Sequence, residues 1–386
     1  MKIPNKKIYL EKINFYLENI LTYFAKHDSI IVRPRFLKEK KMKVVNQEKV
    51  KNYLLRLIKS NRKDYVKAAT ETFAISKSCV YNYVKQMEAD GFIEKKGNAY
   101  VLRTKSFHFA FKNDGTLGED HIYSQFISEH ISFKKNVNSI WNYAFTEMMN
   151  NAIEHSEAEN ILVSIYQNCL DTTILIVDDG IGIFKKIQDF MREIKNETVS
   201  LRECVSLLFA GKFTTAKKHH TGEGIFFTSH IMDEFIIYSD NNFFTRNNFR
   251  SAQIEDNTLH SAIKMENGTV VRMMLSNNTK KILSEVFNTF APVDEGFIKT
   301  TIPVAHMFSG GNPVSRSEAR RLLGCIALFN DIVLDFSEVE EIGQGFAHEL
   351  FVLGKQKHPH INLKIINTCK TVEDMIKRVM NTAALE

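Results

Sequence analysis

The chain has 386 residues, enough for two or three domains of ordinary size. Hydrophobic residues make up 44% and charged residues 25%, the balance of a globular chain and not of a disordered one. The net charge of +6 is unevenly spread: residues 1–103 hold 23 Lys and Arg against 10 Asp and Glu, and the remainder holds 28 against 35. A basic end on an acidic body fits a polyanion partner at that end alone; a solvated basic surface is the alternative. No apolar run approaches the roughly 18 residues of a bilayer-spanning helix. The N-terminus MKIPNKKIYLEKINFYLENI keeps its charges throughout and has no apolar core or cleavage site. A cytoplasmic location with no membrane partner is therefore expected. Five cysteines (Cys79, Cys169, Cys204, Cys325, Cys369) lie far apart with no CxxC pair, which argues against disulfides and structural zinc and predicts buried free thiols. The His219-His220 pair has no carboxylate or thiol at ligand spacing.

Residues 1–46 hold an amphipathic stretch, Tyr9 to Phe24, and a basic linker. Residues 47–103 form a first unit. KVKNYLLRLIKS places Val50, Tyr53, Leu54 and Leu57 at helical spacing, KDYVKAATETF predicts a second helix, and Ser76 can cap a third that Gly91 ends. FIEKKGNAYVL then reads strand, Lys-Gly-Asn turn, strand. This order resembles a winged helix-turn-helix. The resemblance implies DNA as partner, with Lys77, Ser78, Tyr81, Asn82 and Lys85 facing the major groove and Lys95 and Lys96 at the hairpin tip touching phosphates. Protein contacts or dimerisation by the same unit are the alternative. Residues 104–137 are read as a connector with some helix.

The middle of the chain, 138–290, carries the chemistry. In NSIWNYAFTEMMNNAIEHS, Glu147 and Asn151 stand four apart and project from one helix face. A carboxylate there can activate water as a general base, and a carboxamide oxygen can bind Mg2+. Next, ILVSIYQNCLDTTILIVDDGIGI predicts a hairpin of strands 161–167 and 172–177 that delivers Asp178 with Gly180 and Gly182 close behind. The Asp can accept a hydrogen bond from an exocyclic amine, and the glycines let a flat base approach. Then Gly222-Glu223-Gly224 opens an apolar helix whose free N–H groups suit a polyphosphate. Upstream of it lies a polar basic loop with Lys212, Thr214, Thr215, Lys217 and Lys218, read as the end of a lid over 185–221. Gly268-Thr269 begins a last strand.

In combination, ExxxN, DxGxG, lid, GxG and GT resemble the successive motifs of the GHKL ATPases, the family of gyrase B subunits, ninety-kilodalton heat-shock chaperones, MutL and histidine-kinase catalytic domains. FTEMMNNAIEHS lies closest to the histidine-kinase and anti-sigma-kinase branch. The resemblance implies a Bergerat α/β sandwich, a mixed sheet with helices on one face, binding ATP and Mg2+. By it Glu147 is the catalytic base and Asn151 the Mg2+ ligand. Asp178 receives adenine beside Thr269, and Gly180 and Gly182 shape the base pocket. Lys212, Thr221, Gly222 and Gly224 lie at the phosphates. The chain departs from sensor kinases, because His121 and His130 have no phosphoacceptor context and no membrane sensor is evident.

Residues 296–386 alternate strand and helix and predict a small parallel α/β layer. IKTTIPVAHMF, DIVLDFS and INLKIIN read as strands; SRSEARRLLGCIALF, QGFAHELFVLGKQ and a helix capped by Thr371 follow them. DFSEVEEIGQGFAHEL resembles a STAS domain of the anti-sigma-factor antagonist kind. Where switching STAS proteins carry a phosphorylatable serine, this chain has Ile342-Gly343-Gln344-Gly345, with Ser337 earlier; a scaffold that docks a protein partner is expected instead. The whole is an α/β multidomain chain, and a homodimer stays open. Three functions remain: an ATP-dependent regulator that couples slow hydrolysis to DNA or partner binding, a protein kinase acting on a Ser or His of a partner, and a DNA-binding repressor with structural nucleotide.

Overall fold

The computed structural model describes residues 46–196, 198–211, 223–246, 267–308, 311–327 and 329–383. The stretch Tyr9–Phe24 lies outside them.

The first unit is three helices and a hairpin. Helix α1 (Gln47–Lys59) starts at Asn46, whose side chain accepts from the Glu48 and Lys49 N–H groups, and it buries Val50, Leu54, Leu55, Leu57 and Ile58. Helix α2 spans Tyr65–Phe73. Helix α3 (Lys77–Ala89) starts where its cap predicts: Ser76 Oγ accepts from the Cys79 N–H. It ends at Gly91, which takes φ +77°. There the Gly91 N–H donates to the Glu88 carbonyl and the Phe92 N–H to the Met87 carbonyl, the paired bonds of a Schellman stop. Strands β1 (Ile93–Lys96) and β2 (Ala99–Leu102) pair antiparallel around Gly97. Val50, Leu54, Ala69, Val80, Val84, Met87 and Ile93 make the core of this unit.

The second unit is built on a six-stranded sheet of order β3-β4-β5-β8-β6-β7. Its edge strand β3 (Lys105–Lys112) comes from the segment read as a connector. Phe107, Phe109 and Phe111 alternate inward there and meet the rings of Phe126 and His130. Strands β4 (Asn160–Gln167) and β5 (Asp171–Asp178) form the expected hairpin. Strands β6 (Glu234–Ser239), β7 (Asn242–Thr245) and β8 (Thr269–Ser276) complete the sheet. Every described pairing in it is antiparallel, which corrects the expectation of a mixed sheet. The short hairpin links β4–β5 and β6–β7 force opposite directions on neighbouring strands.

One face of this sheet takes the helices. Trp141, Phe145 and Met148 of α4 (Lys135–Asn150) and Phe226 and Phe227 of α5 (Gly224–Ile231) share a core with Val163, Ile174, Ile176 and Met273. On the other face Arg272 and Glu234 form a buried ion pair. The stretch read as the beginning of a lid holds two further helices, Ile183–Lys195 and Leu201–Ala210. The second starts in a capping box of Ser200 and Glu203, a sequence signal that reading the stretch as a lid overlooked. Lys212, Thr214, Thr215, Lys217, Lys218, Thr221 and Gly222 lie outside the described residues.

The third unit has three parallel strands in the order β11-β10-β9: β9 (Lys299–Pro303), β10 (Asp331–Asp335) and β11 (Asn362–Ile366). Helices at Arg316–Ile326, 344–357 and Lys370–Ala383 follow the strands. Two details differ from expectation. The first strand stops at Pro303 and turns into a short helix, Val304–Met307. The last helix starts at Lys370, so Thr371 sits inside its first turn and not at its cap. The thiols differ as well, since Cys204 alone of the five is buried and Cys369 is exposed.

The units share contacts. The second and third form one apolar core, in which the Phe297 ring touches Phe226, Phe227 and Phe329. Ser206 Oγ donates to the Met307 carbonyl at 2.8 Å, and Arg321 pairs with Glu203. The first unit rests on the β4–β5 turn, where Cys169 and Leu170 pack into its core and Lys59 Nζ lies 3.0 Å from Asp171 Oδ2.

Candidate functional site

Asp178 ends β5 directly opposite Thr269, the first residue of β8. It is 5% exposed, and burial pushes its carboxyl up to about 7. Hydrogen bonds from the Gly180 N–H, at 3.0 Å, and from Thr269 pull the other way and hold the side chain in place. Thr269 Oγ1 also accepts the Ile183 N–H at 3.1 Å, so it ties the Asp to the start of the following helix. A carboxyl poised near neutrality by burial, with little local neutralising charge, is costly to the fold and typical of ligand sites.

The two glycines after Asp178 are there for close approach. A methyl group on Gly180 would lie 2.0 Å from the Ser156 carbonyl oxygen. Gly182 takes φ +89°, and a methyl group on it would lie 2.6 Å from both Asp240 Oδ2 and Ser239 Oγ. Sequence reasoning passed over these neighbours. Ser156 accepts the Ile181 N–H at 2.9 Å on its carbonyl, while its hydroxyl donates back to the Ala152 carbonyl at 2.5 Å. Asp240 accepts the Lys185 N–H at 3.2 Å. Their only sequence signal was position: Ser156 follows the helix that carries ExxxN, and Asp240 follows a strand.

Glu147 and Asn151 lie one turn apart on that helix, with the Asn151 N–H donating to the Glu147 carbonyl. From Asn151 to His155 the helix widens into a π-helical turn, a feature frequent at functional sites. Glu147 reaches α5: a methyl group on Gly224 would lie 2.1 Å from Glu147 Oε2. Tyr143, one turn earlier, faces the same place. Burial, with the charges of Glu147 and Glu223 beside it, raises its hydroxyl well above the ordinary range. Glu223 immediately precedes the α5 N-terminus. Tyr143 and Glu223 are thus two further groups at this end that the motifs did not single out.

One helix therefore touches both clusters. Glu147, in the last turn of α4, meets Gly224, and nine residues on Ser156, just past the π-helical turn, meets Gly180 and Ile181. At 1.5 Å per residue to Asn151, and somewhat less through the wider π turn beyond it, the two clusters are about 12 Å apart along the axis. The structure brings together Glu147 with Gly224, and Asp178 with Gly180, Gly182 and Thr269; Lys212, Thr221 and Gly222 lie outside the described residues. Among the described residues no group of three or more His, Cys, Asp and Glu side chains forms a metal cage. The Glu147 and Asn151 oxygens are nonetheless hard donors suited to Mg2+, which takes few protein ligands when phosphates supply others.

In the first unit Lys77, Ser78, Tyr81, Asn82 and Lys85 are all exposed, while Val80, Val84 and Met87 turn inward. Tyr81 is 51% exposed. Lys95 and Lys96 are exposed at the hairpin, with Lys96 Nζ 3.5 Å from Glu94.

The third unit has a recognisable relative. Residues 318–373 match a STAS-like domain of unknown function, DUF4325. The match runs from the first turn of helix Arg316–Ile326, through β10 and β11, into the last helix. It leaves β9 and everything before it outside. No curated protein matches the chain. Among the described residues no helix is long and apolar enough to cross a membrane.

Proposed function

We propose that the chain is an ATP-binding regulator: a Bergerat-type GHKL domain that binds Mg-ATP, flanked by a DNA-facing winged helix and the STAS-like domain. One observation carries the reading. Two motif clusters far apart in sequence meet one helical segment at points about 12 Å apart, a span suited to an adenine at one point and its phosphates at the other.

In this reading Asp178 accepts the exocyclic amine of adenine, and Gly180 and Gly182 leave room for the ring. The α5 N-terminus at Gly224 faces the phosphates, where its N–H groups and dipole favour negative charge. Asn151 holds Mg2+, which neutralises phosphate charge. Glu147, beside Gly224, is placed to take a proton from an attacking water. Helix α3 enters the major groove with Lys77, Ser78, Tyr81, Asn82 and Lys85, and Lys95 and Lys96 contact the backbone. Nucleotide binding shifts the protein between states of different DNA or partner affinity.

The test is binding and turnover with Mg-ATP. The reading expects saturable binding and slow phosphate release, with Glu147→Ala retaining binding and losing release. Label from gamma-labelled ATP appearing on a partner protein, and not as free phosphate, would turn the reading to a protein kinase. Absence of nucleotide binding would remove it.

A further inference from the structure

Arg246 follows β7 and sits where three elements of the second unit meet the third. Its Nε donates to Ser229 Oγ of α5 at 3.0 Å, and its Nη1 to the Thr301 carbonyl of β9 at 3.0 Å. Its Nη2 donates to the Phe209 carbonyl, near the end of helix Leu201–Ala210. The rings of Phe209, Phe226 and Phe244 enclose it, with centroids 5.4, 4.9 and 5.9 Å from the guanidinium carbon. Among the described residues its acceptors are all neutral. Burial lowers its pKa to about 9, so it remains a cation at neutral pH.

A half-buried cation ringed by aromatic side chains depends on the acceptors that it has. If β9 drew away, Nη1 would lose the Thr301 carbonyl, and the guanidinium would shift on Phe209 and Ser229 to regain a partner. The elements are also wedged together sterically. Gly211 takes φ +78°, and a methyl group on it would lie 2.8 Å from the Phe226 ring and 2.9 Å from the Phe297 ring. Phe297 precedes β9, and Phe226 lies two residues after Gly224. Gly211 caps helix Leu201–Ala210 and Gly224 opens α5, where Glu147 packs on it.

We propose that Arg246 is a positioning residue that links docking of the third unit to the placement of Gly211 and Gly224, so that the docked third unit and bound nucleotide favour each other. The nucleotide half of this rests on the function proposed above; the mechanical half does not. The geometry requires that β9, helix Leu201–Ala210 and α5 loosen together when the guanidinium is removed.

The experiment is hydrogen exchange on the full chain, comparing wild type with Arg246→Met and Arg246→Lys, without ligand and with Mg2+ and a non-hydrolysable ATP analogue. Arg246→Met should lower amide protection about tenfold in both 299–303 and 201–210, and leave the hairpin 93–102 unchanged. Arg246→Lys, which keeps the charge but not the three-way fork, should fall between. In wild type the analogue should raise protection at 299–303, and in Arg246→Met it should bind about tenfold more weakly. Should Arg246→Met not fold, Phe297→Leu loosens the same junction without stranding a charge and should show the same paired loss. Loss at 201–210 with 299–303 untouched overturns the linkage, as does analogue binding that leaves 299–303 unchanged. If the analogue does not bind wild type, the nucleotide reading fails, while the paired loss in the ligand-free protein still decides the mechanical link.

Discussion

Replacing Asp178 by Asn should make the ligand-free protein more stable at pH 8 while weakening its hold on ATP. Burial raises the Asp178 carboxyl from an ordinary 3.8 to about 7. The sign follows from proton linkage. Below about pH 4 the group is protonated in both folded and unfolded chains and costs nothing. As pH climbs towards 7 the unfolded chain releases this proton and the folded one keeps it, so stability falls across that window and is flat above it. At about 1.36 kcal/mol per pK step the full penalty is about 4 kcal/mol. Asn carries no such charge, and its Oδ1 can still accept the Gly180 N–H. Its amide lacks a second strong acceptor for Thr269, which returns part of the gain. The net expectation is roughly 1–3 kcal/mol of added stability at pH 8 and a smaller difference at pH 5. Urea unfolding of both proteins at the two pH values measures this, and contributions from other titrating groups cancel in the comparison. An Asn variant that is less stable than wild type at pH 8, or a gap that does not widen from pH 5 to 8, refutes the burial argument.

The same carboxyl gives ATP binding a pH dependence: because the ionised form receives the amine, affinity should fall by up to about tenfold per pH unit below 7, read by calorimetry at pH 6 and 8. Glu147→Ala should lower phosphate release by about a hundredfold or more with little change in nucleotide affinity, measured by single-turnover hydrolysis; equal turnover would remove Glu147 as the base. Gly180→Ala drives a methyl group against the Ser156 carbonyl at 2.0 Å. Backbone has to move, so a loss of about 1–3 kcal/mol in melting experiments and weaker nucleotide binding should appear together. Lys95→Ala with Lys96→Ala should reduce the salt slope of DNA binding by about 2, and an unchanged slope would move the hairpin off the phosphates.

Much of the local fold was legible because it depends on short-range chemistry. The Ser76 cap, the Gly91 stop and the β4–β5 hairpin each depend on a few neighbouring residues, and each stands where the sequence placed it. The pairing of Asp178 with Thr269 was legible only through motif order, since about ninety residues separate them. What stayed hidden was long-range. Strand β3 has a clear FHFAF alternation, but its partner β4 lies some fifty residues on, and the intervening helices drew the eye to a connector. The antiparallel sheet was hidden because strand direction is fixed by pairing and not by composition. Ser156 and Asp240 escaped because their roles come from what a glycine lets them approach. Arg246 carried no signal at all: its three acceptors belong to three elements, two of them carbonyls that any residue could supply.

The most direct measurement is calorimetry at pH 8 with Mg-ATP and, in parallel, Mg-GTP. Asp178 as an ionised acceptor matches the amine of adenine and opposes the carbonyl that guanine presents at the same position. One-to-one binding of Mg-ATP, with Mg-GTP much weaker, is the result the account predicts. Equal binding of both nucleotides would contradict the role given to Asp178, and binding of neither would contradict the site itself.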